Sequence, residues 1–130
     1  MPRITLLFAA LHVVLMLWLA WRVVAQRRAA KIGLGTGGDY TLERAVRVHG
    51  NFIEYVPFAL LMLALLELSG LGAIWLWIFG TLLLTGRLLH ARGLSRKSGI
   101  SFGRFYGTLF TWIALAAMAV AGLLRFGGLF

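Results

Sequence analysis

The chain has 130 residues, of which 61% are hydrophobic and 13% are charged, whereas a soluble domain carries about 25% charged residues. This composition indicates a membrane protein, and the length allows one domain over residues 1–130. Cysteine is absent, which excludes disulfides, thiolate metal ligands and cysteine nucleophiles. Three histidines and four acidic residues also offer few ligands for a metal site. The net charge of +9 does not indicate nucleic-acid binding, because the cations flank long apolar runs instead of covering a soluble face.

Four apolar segments are long enough to cross a bilayer, which takes about 20 residues per helix. We predict spans over residues 4–25, 42–68, 71–92 and 104–125. The first is too long for the apolar region of a signal peptide, and no small-residue cleavage site follows it. The short connection 69–72 makes an antiparallel hairpin of the second and third spans. The expected fold class is all-α, an integral membrane four-helix bundle.

Lysine and arginine are concentrated in two of the three connections. All of them except Arg3 and Arg125 lie within residues 22–47 and 87–104, whereas the connection 69–72 has none. Short basic loops stay in the cytoplasm. The pattern therefore predicts that both basic loops are cytoplasmic and that both termini lie outside, in the inner membrane of a bacterium.

Two features of the first half have ordinary interpretations. The glycine-rich segment 33–38 is similar to a phosphate loop, but no strand precedes it and no Gly-Lys-Ser/Thr follows it. We predict a flexible linker that ends with Asp39 or Thr41 as the cap of the next helix. His12 lies within the first span without an evident partner, and we interpret it as a buried or interface histidine.

The second span carries polar residues where hydrocarbon contacts are expected. Arg44, Arg47, Asn51 and Glu54 follow one another at helical spacing and share one face. Glu54 lies about 15 Å beyond Arg44 along the axis, too deep for its short side chain to reach the headgroups. A carboxylate at that depth costs about 2.5–3.5 kcal/mol and needs a partner. The face is either structural, pairing with arginines of a neighbouring helix, or the wall of a polar pocket, and the two interpretations are compatible.

The other spans bring cations to the same end of the bundle. Arg87 and His90 share a face near the end of the third span, Arg104 opens the fourth, and the first ends with Arg22, Arg27 and Arg28. Each arginine alone fits a lipid headgroup contact. Together, around an amide and a carboxylate, guanidinium groups suit a small polyanion or a set of carboxylates. Polar residues in so thin a bundle are better satisfied against another subunit, so we expect an oligomer.

The second span resembles the second-helix signature of the MAPEG family, the membrane-associated proteins in eicosanoid and glutathione metabolism. That family includes microsomal glutathione transferases, microsomal prostaglandin E synthase and a leukotriene synthase. The resemblance extends over nearly the whole chain, with four spans, the same topology and the Arg87-x-x-His90 pair, and the short loops resemble those of the bacterial branch. The matching second-span residues are Glu43, Arg44, Arg47, His49, Asn51, Glu54, Tyr55 and Pro57.

The resemblance implies a homotrimer that binds glutathione, as a co-substrate, between adjacent subunits near the cytoplasmic side. It implies that a small hydrophobic substrate arrives through the membrane lipids and that no metal takes part. A nearby cation raises the thiolate fraction of glutathione, so no protein nucleophile is needed. Arg104 would be the catalytic arginine at the start of the fourth helix. Carried over by position, the residues that would bind glutathione are Arg27 or Arg28, Arg47, Asn51, Glu54, Tyr55, Arg87 and His90.

One departure bears on catalysis more than on binding. The eicosanoid enzymes carry a tyrosine one turn beyond the position of His90, where this chain has Leu94, although Tyr106 is close in sequence to Arg104. We expect a glutathione transferase or peroxidase, and the alternative is a non-catalytic lipid-binding or scaffold protein of the same fold. A small multidrug transporter is less favoured, because the first span has no acid and Glu54 lies among arginines, which favour anions.

Overall fold

The computed structural model describes residues 1–93 and 102–129 in full, together with the backbone of residues 94–96. Four helices make up the bundle: α1 Arg3–Ala30, α2 Tyr40–Leu68, α3 Ala73–Arg96 and α4 Phe102–Phe126. All four are long and apolar enough to cross a membrane. The predicted all-α membrane bundle is confirmed, and the chain is a multi-pass membrane protein.

The helices extend beyond most of the predicted spans. Each of the four contains the segment predicted for it, except that α3 begins at Ala73, two residues after the predicted start. We use "basic end" for the end of the bundle where α1 and α3 finish and α2 and α4 begin, and "opposite end" for the other. Residues 97–101, part of the predicted basic connection between the third and fourth spans, lie outside the described residues.

Capping residues determine where the helices begin and end. Asp39 caps α2, because its Oδ1 accepts hydrogen bonds from the backbone N–H groups of Thr41 and Leu42, each at 2.8 Å. The linker before it needs glycine, since Gly35, Gly37 and Gly38 adopt φ values of 68°, 55° and 80°. At the opposite end α1 has no local side-chain cap. The carboxylate of Glu67, from the end of α2, accepts from its first N–H groups instead.

The apolar core lies in two clusters along the bundle. The larger occupies the half nearer the opposite end and joins all four helices through residues such as Phe8, Leu63, Leu83 and Met118. The smaller lies toward the basic end, where α1 and α2 pack together. Many of the remaining apolar side chains, including the five tryptophans, point outward, as expected for a bundle surrounded by lipid.

Glycines allow α3 and α4 to pack backbone against backbone. A Cβ atom added to Gly107 would lie 2.5 Å from the backbone nitrogen of His90 and 2.7 Å from the carbonyl oxygen of Gly86. Gly93 and Gly103 make a similar contact one to two turns nearer the basic end. This approach places the polar end of α3 directly beside the start of α4.

Candidate functional site

The polar face of α2 forms the wall of a cavity at the basic end. Because α2 is continuous from Tyr40 to Leu68, its polar residues keep the predicted helical spacing and point the same way. The cavity has a volume of about 630 Å³, within the range of about 300–1,000 Å³ that is common for small-molecule sites. We name it the basic-end cavity. It is lined by Tyr40, Glu43, Arg44, Val46, Arg47, Gly50, Asn51 and Glu54 of α2, His90 of α3 and Arg104 of α4.

Along α2, the positive charges of this cavity lie nearer the basic end, and the negative charge of Glu54 lies deeper in the membrane. Arg44 and Arg47 lie in the first two turns of α2, and Glu54 follows about 21 Å from the start of the helix, near its middle. The side chains of Arg47 and Glu54 are exposed on the surface of the subunit. An exposed carboxylate at mid-membrane depth is unfavourable against lipid, so this surface requires a polar partner.

Arg87 lies behind the cavity wall. It is only 2% exposed, its Nη1 donates to Oδ1 of Asn51 at 2.9 Å, and its Nη2 donates to the carbonyl oxygen of Gly107 at 3.4 Å. An arginine side chain has no hydrogen-bond acceptor, so Asn51 must turn its oxygen toward Arg87. The amide N–H donors of Asn51 are then left for the cavity. Tyr55 lies beneath the same guanidinium, with its ring centroid 5.7 Å from the Arg87 Cζ. Arg87 therefore orients Asn51 from within the bundle.

His90 and Arg104 reach the cavity from the other two helices of this end. His90 is 5% exposed, and the close approach of Gly107 to its backbone fixes its height on α3. Arg104 also lines an apolar groove of about 390 Å³ along α4, together with Phe105, Thr108, Leu109 and Trp112. This one guanidinium thus lies where a polar cavity meets an apolar surface.

The two arginines predicted from α1 lie elsewhere. Arg27 Nη1 donates to the carbonyl oxygens of Ile32, Gly33 and Gly35, at 3.4, 3.3 and 2.9 Å, and so fastens the linker to the end of α1. Arg28 is exposed, and neither side chain is among the described residues that line the cavity. Within one subunit, the structure brings together Arg47, Asn51, Glu54, His90 and Arg104, with Arg87 and Tyr55 behind them.

Tyr106 also lies away from the cavity lining. Its ring packs in a row on α4, with centroids 4.2 Å from Phe102 and 6.3 Å from Phe110. Its proximity to Arg104 along the chain therefore does not bring its hydroxyl among the described lining residues.

Two polar contacts at the opposite end were not predicted. Oε1 and Oε2 of Glu67 accept hydrogen bonds from the backbone N–H groups of Ile4 at 2.9 Å and Thr5 at 2.7 Å. Arg125 donates to the carbonyl oxygen of Ser69, at the end of α2. The topology offered a signal for the first contact, because an acid at the end of the second span comes beside the start of the first helix. These contacts tie three helix ends together.

The described residues contain no group of three or more histidine, cysteine or acidic side chains that could hold a metal ion. The basic-end cavity is lined by three guanidinium groups and by the two carboxylates of Glu43 and Glu54, and this balance suits an anionic organic molecule better than a metal cation.

Comparison with known proteins identifies the family. The model of the MAPEG family matches residues 5–124. Over 126 residues the chain is 33% identical to the inner membrane protein YecN of Escherichia coli K12, an alignment that covers 92% of this chain and 90% of that protein. The same protein in Escherichia coli O6:H1 strain CFT073 aligns with the same identity and coverage. The resemblance found in the second span is confirmed, and the chain belongs to the MAPEG family.

Proposed function

We propose that the protein binds glutathione at the subunit interfaces of a homotrimer and uses it to conjugate hydrophobic electrophiles or to reduce hydroperoxides. The observation that carries this proposal is the basic-end cavity, where three arginines, the amide of Asn51 and the carboxylate of Glu54 line one space. Glutathione has two carboxylates for the arginines and one ammonium group for a carboxylate. Charge-assisted hydrogen bonds of this kind are the strong ones in a site shielded from water.

The exposure of charged side chains supports an interface site. Arg47 and Glu54 are exposed in the subunit although they belong to a membrane-spanning helix. A second copy of the chain that covers the cavity mouth removes both from lipid and supplies further polar partners. If Arg27 or Arg28 takes part in binding, it has to come from the neighbouring subunit, because neither lines the cavity of its own subunit.

The cavity opens toward the cytoplasm in this proposal. Short loops rich in lysine and arginine stay on that side of a membrane, and the basic end carries both such loops. The relative YecN is an inner membrane protein, and we extend that location to this chain. Glutathione is a cytosolic thiol, so the site faces its supply.

The position of Arg104 supports a catalytic role. Its guanidinium borders both the polar cavity and the apolar groove on α4, so it can stabilise a thiolate next to a hydrophobic substrate that enters from the bilayer. In conjugation, sulfur forms a bond to the electrophilic carbon, and the leaving group departs while the thiol proton goes to solvent. In the peroxidase reaction two glutathione molecules are oxidised to the disulfide while a hydroperoxide is reduced to an alcohol and water.

Calorimetric titration of glutathione into the detergent-purified protein tests the binding step. We expect saturable binding that is lost in the Arg47→Ala, Asn51→Ala double variant. Binding should persist in Arg3→Ala, which removes an exposed arginine at the opposite end. S-methylglutathione separates recognition of the peptide from recognition of the thiol. A well-folded wild type that binds neither compound would contradict the proposal.

The second candidate function is lipid binding without catalysis. The apolar groove beside Arg104 favours it, because a cation above an apolar groove also suits an anionic lipid. Turnover of a chlorinated dinitrobenzene with glutathione distinguishes the two functions. Absence of turnover together with co-purified anionic lipid, released by Arg104→Ala, would favour the second.

A further inference from the structure

His12 and Arg87 are two of the three buried side chains that each leave one polar atom unpaired among the described residues, and the third is Thr5 near the opposite end. His12 on α1 is 1% exposed and Arg87 on α3 is 2% exposed. Nε2 of His12 and Nε of Arg87 are buried and have no hydrogen-bond partner among the described protein atoms. Buried polar groups are nearly always hydrogen-bonded, and more so where lipid surrounds the bundle.

The contacts of the two side chains place them at a similar level along the bundle axis. The ring of His12 is 6.0 Å from that of Phe52, and Arg87 donates to Asn51, the preceding residue of α2. Contact between Phe8 and Gly80 sets the register of α1 against α3, which places Arg87 one turn nearer the basic end than His12. Long side chains on a helix point toward its N-terminus, so the Arg87 side chain extends toward the opposite end. Its guanidinium therefore lies near the level of the His12 imidazole.

The free atoms are chemically complementary. Nδ1 of His12 lies 2.7 Å from the carbonyl oxygen of Phe8, and a carbonyl only accepts, so Nδ1 carries the proton. Nε2 of the neutral imidazole is then an acceptor, whereas Nε of Arg87 is always a donor. A water molecule between them satisfies both, because it can accept from Arg87 and donate to His12.

We infer that one buried water joins His12 Nε2 to Arg87 Nε, and that His12 is a positioning residue for the basic-end cavity. The link runs from His12 through the water to Arg87 and on to Oδ1 of Asn51, which lines the cavity. It crosses three helices and holds the Asn51 amide in one orientation. The water link stands independently of glutathione binding, and only the effect on affinity rests on the function proposed above.

Nuclear magnetic resonance of the wild type tests the link directly. With ¹⁵N-labelled histidine, and with His12 assigned by comparison with His12→Gln, we expect a protonated Nδ1, a bare Nε2 and a cross-peak between the ring and a slowly exchanging water. Protonation at Nε2, or the absence of a water contact, would overturn the link.

Three variants test the positioning role. His12→Leu removes the acceptor, His12→Gln keeps one, and Leu19→Ala disturbs the same buried stripe of α1 two turns away, without changing a polar group or the contact between Phe8 and Gly80. We expect the side-chain amide signal of Asn51 to shift in His12→Leu and to stay near its wild-type position in the other two. Glutathione affinity should fall about tenfold in His12→Leu and less than about threefold in His12→Gln. Leu19→Ala should lower the melting temperature and leave the affinity unchanged.

These readouts separate the two proposals. If the wild type does not bind glutathione, the proposed function fails, whereas the His12 tautomer, the water contact and the Asn51 signal still decide the link. An Asn51 signal that stays in place in His12→Leu, or that moves equally in Leu19→Ala, would show that His12 contributes only packing.

Discussion

Replacement of Gly107 by alanine tests whether the contact between α3 and α4 holds the site together. The new Cβ would lie 2.5 Å from the His90 nitrogen, 2.7 Å from the Gly86 oxygen and 2.8 Å from the His90 Cα. Ordinary contacts begin near 3.4 Å. All three neighbours are backbone atoms, so no change of side-chain rotamer relieves the clash. The two helices must therefore separate by about 1 Å.

The expected magnitude is the difference between two effects. Overpacking of this kind costs about 1–3 kcal/mol. Alanine in place of a helical glycine returns about 1 kcal/mol of helix propensity. The upper half of the overpacking range applies, because only backbone can yield, and the net loss should be about 1–2 kcal/mol. The shift also draws the Gly107 carbonyl away from Arg87, so affinity in the cavity should fall as well.

The assay is reversible unfolding of the purified protein in mixed micelles, and the matched control is Gly122→Ala. Gly122 lies on the same helix, but an added Cβ there meets only the mobile end of Met62, at 3.1 Å. The control should therefore be as stable as the wild type or slightly more stable. Equal stability of the two variants would refute the close backbone contact and its role in fixing His90.

Three other changes give distinct expectations. Glu54→Ala should weaken both subunit assembly, measured by cross-linking, and glutathione binding, and unchanged behaviour in both would remove Glu54 from the site. Arg104→Ala should lower the turnover of a model electrophile and leave glutathione affinity within a few-fold, whereas collapse of binding would make Arg104 an anchor instead. Glu67→Ala removes the acceptor for the first N–H groups of α1 and should cost about 1 kcal/mol of unfolding free energy, with no change in affinity. A loss of affinity in Glu67→Ala would link the opposite end of the bundle to the cavity.

Helical periodicity in the sequence was enough to predict the part of the site that lies on α2. The step from Arg44 to Glu54 follows helical spacing, so the sequence alone placed these residues on one face, and the structure has them line one cavity. Asp39 was likewise one of two candidate caps, because its residue type and its place before an apolar run define a helix start. Both features depend on neighbours within a few residues along the chain.

Features that depend on contacts between helices were not predictable in this way. Arg87 and His90 share a face in the sequence, but only the glycine contact between α3 and α4 shows that Arg87 lies in the core and that His90 reaches the cavity. Arg27 looked like other arginines of the basic end, and its hydrogen bonds depend on a linker that folds back over it. The charge and spacing of residues in a sequence indicate which groups their side chains can bind. The packing of the helices determines which of those groups are within reach.

The burial pattern divides the cavity into a fixed half and an open half. Asn51 is held from behind by Arg87, which in turn bonds to the backbone of α4, so the interior half is set within one subunit. Arg47 and Glu54 are exposed at the surface of the subunit, where a ligand or a second subunit can cover them. A ligand that pairs with these two residues and a subunit that covers them thus act on the same surface. A ligand that binds between two subunits contacts both of them, so ligand binding and assembly favour each other by mass action. Recognition of the ligand and assembly of the subunits are therefore expected to be coupled through Arg47 and Glu54, with the Arg87–Asn51 pair as the fixed reference on which both depend.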